Sequence, residues 1–324
     1  MTSASANTPS KQKPDWAGDD FLSRVVNLLI QTKPLYQLMK QQARRVLINT
    51  AEKNGIPWRQ ACRDFEQSEV KALVGELTNP DVVYPNYYTV PFHVYDAGNL
   101  CWQAAFEAPS ATYAMALRVW PQESLSWQMA QDRLRSSFHE MLTRYGPVDV
   151  RDVLDIGCSV GISTQSLHQY YTQQLKHSVR TVGLDLSPYM LSVAKITDKL
   201  GAIAQWIHQN AEDTQFDDAS FDVVTLQFVI HELPRSATQA IFREVLRILR
   251  PGGCLAIVDN NPHSPVIQSL PPALFVLMKS TEPWSDDYYT FDVESALTDI
   301  GFELPITAAT DPRHRTIIAS KPSV

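Results

Sequence analysis

A short apolar run followed by small residues at every second position is the part of this chain best placed to bind a ligand. The run contains Asp155, and Gly157, Ser159 and Gly161 follow it. An apolar run bounded by glycine indicates a buried strand, and small residues in a strand-to-helix turn let a ligand lie against the backbone. A dinucleotide fingerprint needs glycine at the first, third and sixth positions, and Ser159 and Ile162 break that pattern. The turn therefore predicts a ligand-binding loop whose spacing disfavours a dinucleotide.

A second acid follows at the distance expected for a residue that binds a ribose. Residues 179–184 indicate another strand, and Asp185 follows it directly, 24 residues after Gly161. An acid roughly 20 residues beyond such a turn can accept hydrogen bonds from both hydroxyls of a ribose. Ser187 and Pro188 then begin a helix as its N-cap and its first residue. The pattern indicates a ligand that contains a ribose.

Further strands and helices alternate after this point. The pattern predicts strands at 203–207, 221–228 and 254–259, and a helix from about 236 to 250 with one apolar face. Pro251-Gly252-Gly253 ends that helix before the next strand begins. Alternation of this kind predicts a parallel sheet with helices on its faces.

The order of these motifs, together with the Asn210-Ala211 turn, resembles the class I S-adenosylmethionine-dependent methyltransferases over about residues 150–262. Within that class the chain is most similar to the small-molecule methyltransferases of ubiquinone and menaquinone biosynthesis. That family usually has Gly at the position of Ser159 and an acid at the position of Asn210. The resemblance implies that S-adenosylmethionine is the cofactor.

The resemblance also implies the fold. It predicts an α/β architecture with a Rossmann-like, seven-stranded, mostly parallel sheet in which one strand is antiparallel. Residues 302–308 and 315–320 are similar to the last two strands of the family, and the second of them is the antiparallel strand.

Residues near the strand ends carry the functional roles that the resemblance implies. The cofactor-binding set is Asp155, Gly157, Ser159, Gly161, Asp185, Leu186, Asn210, Ala211, Gln227 and Phe228. His231 follows the fourth strand, at the edge of the sheet where ligands collect. The His231-Glu232 pair resembles a His-Asp pair of plant-type O-methyltransferases, which implies that His231 is the catalytic base and that Glu232 orients it. The alternative is that His231 only borders the cofactor.

The segment after the fifth strand is the second candidate for substrate contacts. We predict a helix over 271–281 and then a loop that holds Trp284, Tyr288 and Tyr289. In the family that the chain resembles, this connection forms one wall of the acceptor pocket, so these rings could stack on a flat substrate. Packing at the surface is the alternative.

The chain before the methyltransferase-like part needs its own explanation. We predict a disordered tail over residues 1–14, a mainly helical, aromatic-rich region over 15–147 and a methyltransferase domain over 148–324. Helical patterns in the second region occupy 21–31, 34–55, 58–77 and 124–145. Residues 84–95 are unusually aromatic, and their rings either fill the core or form a lid that walls the acceptor pocket.

Charge and cysteine usage restrict the partners and the compartment. The net charge is −7 at pH 7 and the pI is near 5.6, which argues against a nucleic-acid partner because phosphate binding needs a basic face. No apolar run is long enough to span a bilayer. The four cysteines are widely spaced, so we expect reduced thiols in the cytoplasm. No spacing of His, Asp or Glu indicates a metal site, and the oligomeric state is not predicted.

Two functions of different classes remain open. The first is an enzyme that methylates a small molecule, most simply by O- or C-methylation of a phenol, an enol or a quinol-like acceptor. The second is a catalytically degenerate protein that binds S-adenosylmethionine and serves assembly or regulation. Ser159 and Asn210 favour the second function slightly, whereas the intact Asp155, Gly157 and Asp185 favour the enzyme. Turnover distinguishes the two, since both predict cofactor binding.

Overall fold

A sheet of seven strands forms the centre of the protein in a computed structural model, which describes residues 21–93, 95–271 and 280–323. The strands lie in the order β3-β2-β1-β4-β5-β7-β6. Their bounds are β1 (Asp152–Ile156), β2 (Arg180–Asp185), β3 (Gln205–His208), β4 (Phe221–Gln227), β5 (Leu249–Asn260), β6 (Ile306–Ala309) and β7 (His314–Ser320).

Strand direction agrees with the expectation from the sequence. β1 to β5 pair in parallel, and β7 lies antiparallel between β5 and β6. The predicted mostly parallel, Rossmann-like sheet with one antiparallel strand is therefore confirmed. Because β1 pairs with both β2 and β4, the strand order reverses beside β1, and open α/β sheets bind ligands in the crevice at such a point.

Helices flank the sheet and also build the N-terminal region. Their bounds are α1 (Phe21–Gln31), α2 (Lys33–Lys53), α3 (Trp58–Gln67), α4 (Val70–Leu77), α5 (Trp102–Leu117), α6 (Trp127–Tyr145), α7 (Ile162–Gln174), α8 (Pro188–Thr197), α9 (Arg235–Ile248), α10 (Pro265–Gln268), α11 (Ser285–Tyr289) and α12 (Val293–Ile300). A single 3₁₀ turn, Ile230–Glu232, follows β4. Ser126 and Ser187 cap α6 and α8 by accepting backbone N–H groups, as short hydroxyl side chains do at helix starts.

Burial on both faces of the sheet explains the near-continuous apolar strands. On β1, Val153 and Leu154 are fully buried and join two different apolar clusters, one on each face. A side chain in a strand alternates between faces, so both faces must be apolar when helices cover both. This packing holds the carboxyl ends of the strands in one rigid row.

The structure differs from the sequence-based expectations in several elements. Helix α5 was not predicted, because Pro109 inside it has the character of a helix breaker and the helix is buried on many sides. β5 begins at Leu249, where a helix end was expected, since a bulge opposite Phe221 and a left-handed Gly252 let the strand continue. The expected loop around Tyr288 contains the short helix α11. The predicted tail and most of the predicted helix over 271–281 lie outside the described residues.

Candidate active site

The turn after β1 has the backbone conformation that its small residues predict. Gly157, Ser159 and Gly161 all have positive φ angles, of 68°, 49° and 78°. A Cβ atom at Gly157 would lie 2.6 Å from the side chain of Val229, and one at Gly161 would lie 2.5 Å from the ring of Trp206. Ser159 keeps the left-handed conformation without being glycine, at a cost of roughly 1–2 kcal/mol. Ser159 therefore has the left-handed conformation that a glycine at this position would adopt readily.

Asp155 is enclosed beneath this turn rather than open to solvent. Its carboxylate is 1% exposed and accepts hydrogen bonds from Thr164, Thr225 and Gln227, at 2.7, 2.6 and 3.3 Å. Burial raises the pKa of Asp155, and these three donors oppose that rise. Asp155 therefore joins β1, β4 and the start of α7, and it positions the turn from within the protein.

Asp185 stands at the end of β2 and is bound by backbone groups. Its Oδ2 accepts from the N–H of Ser159 and its Oδ1 from the N–H of Ser187, both at 2.8 Å. Burial nevertheless raises the pKa of Asp185 to about 6. An ionised carboxylate can accept about four hydrogen bonds, so Asp185 keeps acceptor capacity for a hydroxyl of a ribose beside these backbone donors.

The predicted adenine side of the site lies after β3. Asn210 Oδ1 accepts the backbone N–H of Glu212 at 3.0 Å, which forms a local turn beside the buried Ala211. His208, which is 3% exposed, accepts the N–H of Asn79 at Nδ1 and donates from Nε2 to the carbonyl of Leu186. The histidine therefore joins the N-terminal region to the loop that carries Asp185.

Aromatic residues of the N-terminal region lie against the same edge of the sheet. The hydroxyl of Tyr84 is 3.1 Å from Nε2 of His208, and the hydroxyl of Tyr87 donates to Glu212 at 2.6 Å. Burial first, and then the charges of Asp185 and Glu232, raise the pKa of Tyr88. The segment over residues 84–93 therefore runs from His208 at the end of β3 to the turn after β4, where Nε2 of His93 lies 3.8 Å from Oε1 of Glu232.

The end of β4 brings a histidine and a carboxylate together. His231 lies in the 3₁₀ turn, and its Nδ1 is 2.8 Å from Oδ1 of Asp259, which comes from β5 and is buried. Burial lowers the pKa of His231, but Asp259 outweighs it and raises the pKa to about 10. Oε1 of Glu232, the predicted orienting group, lies 4.0 Å from Nε2 of His231 and 3.8 Å from Nε2 of His93. The carboxylate at Nδ1 therefore belongs to Asp259.

Similarity to known proteins agrees with this geometry. A family model described as "Methyltransferase domain" matches residues 154–257, which include the glycine turn, Asp185 and most of β5. Residues 154–257 therefore form a methyltransferase domain of the S-adenosylmethionine-dependent type. S-adenosylmethionine is the cofactor of this family, and the left-handed turn with Asp185 beside it fits a ligand that lies along the backbone.

The relatives cover only part of the chain. It is 34% identical over 151 residues to an uncharacterized methyltransferase of Synechocystis, which is 46% of this chain and 66% of that protein. It is 33% identical over 144 residues to a demethylmenaquinone methyltransferase of Lactiplantibacillus plantarum, or 43% of this chain and 53% of that protein. A solved methyltransferase structure from Aquifex aeolicus has a TM-score of 0.45 and 18% identity over 63% of this chain and 97% of that one. The chain thus spans about half to two thirds of the curated relatives it matches.

The three aromatic residues predicted to contact the acceptor lie beside the methyltransferase site but differ in role. Tyr288 and Tyr289 are 2% and 3% exposed and belong to the main apolar cluster, so they do not pack at the surface. The hydroxyl of Tyr288 donates to the carbonyl of Asn260, and its ring meets that of His231 edge to face at 6.3 Å. Tyr288 therefore packs against the ring of His231 from within the apolar core. Trp284, which precedes α11, has a buried indole N–H without a hydrogen-bond partner.

Sequence reasoning missed two residues of the methyltransferase site. Asp259 was predicted only as the last residue of a strand, and the pairing of β4 with β5 brings it beside the turn that holds His231. Arg135 of α6 donates to Oε1 of Gln227 at 3.3 Å and lies 5.6 Å from the ring of Phe228. Nothing in the local sequence distinguishes this arginine from a solvent-exposed one.

Two further searches concern the described part of the chain alone. Within it, no group of three or more His, Cys, Asp or Glu residues could hold a metal ion. None of its helices combines the length and apolar character that a membrane span requires.

Proposed function

We propose that this protein transfers a methyl group from S-adenosylmethionine to a small molecule that carries an ionisable hydroxyl. A phenol, an enol or a quinol-like ring fits best, with methylation at the oxygen or at the adjacent carbon. The observation that carries the proposal is the contact between His231 and Asp259 at the end of β4, beside the cofactor turn. The names of the demethylmenaquinone methyltransferases among the relatives support a quinol-like acceptor in particular.

The cofactor, when bound, would supply an activated methyl group, and its demethylated remainder would be the leaving group. No nucleophile from the protein is therefore required. Asp185 would accept the ribose hydroxyls, and the turn from Gly157 to Gly161 would lie along the cofactor. Positioning the acceptor and excluding water remain as the tasks of the protein.

His231 is placed to handle the proton of the acceptor. Asp259 Oδ1 lies 2.8 Å from Nδ1, so Nε2 is the nitrogen available to a hydroxyl. A neutral ring that takes the hydroxyl proton at Nε2 becomes an imidazolium, which Asp259 stabilises. Because the pKa of His231 is raised to about 10, the ring is mostly an imidazolium at neutral pH. The neutral fraction that can take the hydroxyl proton, and kcat with it, should therefore increase as the pH rises towards about 10.

The aromatic segment over residues 84–92 would close the site against water. Tyr84 and Tyr88 stack with ring centroids 6.1 Å apart, and His93 beyond them donates its backbone N–H to the carbonyl of Thr281. A lid made of rings and attached at both ends suits a flat acceptor, because an aromatic face stacks on a planar ligand at low entropic cost.

The test is turnover with a panel of acceptors. Purified protein with isotopically labelled S-adenosylmethionine should methylate one of a set of phenols, enols and reduced naphthoquinones, detected by mass spectrometry. Nuclear magnetic resonance of the product then distinguishes oxygen from carbon methylation. His231→Ala should lower kcat by about 10²–10⁴-fold, the usual contribution of a general base, with cofactor affinity nearly unchanged.

One result would favour the second function instead. Tight binding of S-adenosylhomocysteine without methylation of any acceptor in the panel or in a fractionated cell extract would indicate a cofactor-binding protein without turnover. An active His231→Ala variant would instead assign the histidine to the cofactor wall and leave positioning as the source of catalysis.

A further inference from the structure

Helix α1 presents apolar side chains to solvent. Phe21, Leu22 and Leu28 are 83%, 57% and 65% exposed, whereas the polar Ser23 of the same helix is fully buried. The polar residues of α1 stand at 23, 24, 27 and 31, which form one stripe of a helix, and apolar residues occupy all its other positions. A helix of a globular core turns its apolar stripe inward, so the orientation of α1 is the reverse of the usual one.

The chain around these side chains is basic, although the protein as a whole is acidic. Residues 21–51 contain five Lys and Arg residues and no Asp or Glu, in a chain whose net charge is −7. Arg24 and Arg45 are exposed, and neither forms an ion pair with another residue that the structure describes. Leu38 of α2 is 62% exposed and lies on the same side of the helix as Arg45. Apolar and cationic side chains therefore stand together on the outside of both helices.

Helix α2 is attached on its other side to the folded part of the N-terminal region. Lys40 pairs with Asp96 at 3.2 Å, and Arg44 pairs with the buried Glu107 of α5. Thr32 is the one residue between α1 and α2. A partner bound by α1 would therefore be held to the folded region through α2.

The combination of apolar and cationic side chains indicates the kind of partner. A second copy of this chain would bring the same positive charges against each other, which opposes dimerisation through this surface. A bilayer that contains anionic lipids suits both groups, because the acyl chains receive Phe and Leu side chains and the headgroups attract Arg and Lys.

We propose that α1 and the first half of α2 bind the surface of an anionic lipid bilayer, with Phe21, Leu22 and Leu28 in contact with the acyl chains. The helices lie on the bilayer and do not cross it, since α1 has 11 residues and a span needs about 20. Membrane binding of this kind does not depend on the proposed function. It would bring the protein to the phase in which an apolar, quinol-like acceptor dissolves, and only that consequence rests on the proposed function.

The test is co-flotation of the full chain with vesicles of two compositions. One consists of phosphatidylcholine, and in the other about a third of the lipid is phosphatidylglycerol. Wild type should bind the anionic vesicles, and added salt should weaken the binding because it screens exposed charges. Phe21→Ser combined with Leu28→Ser should lower the affinity roughly tenfold or more. Arg24→Gln and Arg45→Gln should each lower it about fivefold.

Matched controls change residues of the same types elsewhere on the surface. Leu200 is 92% exposed in the loop after α8, and Arg243 is exposed on α9. Leu200→Ser and Arg243→Gln should bind anionic vesicles as wild type does. All of these side chains are exposed, so the melting temperature of each variant should stay within about 2–4 °C of wild type.

Three outcomes would overturn the membrane surface. They are equal binding to both vesicle compositions, absence of binding to either, and unchanged binding in the variant that combines Phe21→Ser with Leu28→Ser. A dimer seen by light scattering and abolished in that variant, without vesicle binding, would assign the apolar side chains to a second copy. Each of these results leaves the methyltransferase assignment intact. Absence of turnover with every acceptor would count against the proposed function alone, because vesicle binding needs no acceptor.

Discussion

Replacing Asp259 with asparagine tests the proton-holding role of His231 without any knowledge of the acceptor. The side chain keeps its size and one acceptor oxygen but loses its charge. Asp259 is the first of the groups that raise the pKa of His231 from 6.5 to about 10, and burial acts in the opposite direction. We therefore expect the pKa of His231 to fall in Asp259→Asn, while Glu282 and Glu232 continue to raise it.

The magnitude follows from the two pKa values. A rise from 6.5 to about 10 corresponds to roughly 5 kcal/mol, at about 1.36 kcal/mol for each pH unit. This figure is an upper bound, because solvent already reaches 13% of the His231 side chain and can stabilise the charge when Asp259 is changed. Because the folded pKa is raised, the pair stabilises the folded protein fully below pH 6.5 and loses that contribution as the pH rises towards about 10.

The assay is a side-chain titration. Protein labelled with ¹⁵N-histidine is titrated by nuclear magnetic resonance, and the His231 signal is assigned by its loss in His231→Gln. Denaturant unfolding of wild type and Asp259→Asn should show a stability difference that is larger at pH 6 than at pH 9.5. Glu232→Gln is the control, since Glu232 lies 4.0 Å from Nε2 and leaves the contact at Nδ1 in place.

Two results would refute this reasoning. One is a His231 signal that titrates near 6.5 in wild type, which would mean that Asp259 does not hold a proton on the ring. The other is an equal shift in Glu232→Gln and Asp259→Asn, which would assign the effect to general negative charge around the site.

Four other expectations follow from the structure. Asp185→Ala should weaken S-adenosylhomocysteine binding by roughly 1.5–3 kcal/mol in calorimetry. Wild-type binding should also weaken as the pH falls through about 6, where Asp185 becomes protonated. Equal affinity for variant and wild type would remove Asp185 from the ribose site. Asn210→Asp should retain binding within about threefold, because aspartate can accept the same N–H of the local turn; a large loss would point to an essential amide donor. His208→Ala should speed hydrogen exchange over residues 79–92, which the ring joins to the sheet, and unchanged exchange there would show that other contacts hold the segment. A fragment over 148–324 should be insoluble or inactive, since it lacks helices that pack on the sheet; a soluble and active fragment would contradict the lid.

Local motifs explain why the cofactor side could be predicted from the sequence. The turn from Gly157 to Gly161 and the acid Asp185 each depend on a few neighbouring residues, and the backbone geometry follows from those residues. The number and direction of the strands were predictable through the resemblance, since an alternating chain has few ways to form such a sheet.

Contacts between distant residues explain what the sequence did not predict. His231 follows β4 and Asp259 lies in the neighbouring strand β5, so their contact joins residues that are distant in the chain. The prediction of Glu232 as the partner of His231 relied on adjacency in the chain. Arg135 of α6 reaches Gln227 at the end of β4, and helix periodicity does not report a polar partner that lies so far along the chain. Helix α5 escaped prediction because tertiary burial outweighs the local effect of its proline.

The antiparallel insertion of β7 has a consequence for the order of folding. β7 pairs with β6 on one side and with β5 on the other. Without β7, that edge of β5 would be unpaired. β6 therefore cannot join the sheet before β7 does, although it comes first along the chain. The first five strands must assemble with the edge of β5 open, and such an edge can pair with another chain. Synthesis of residues 314–320 is then the event that closes the sheet, so a stalled or truncated chain is expected to aggregate through β5.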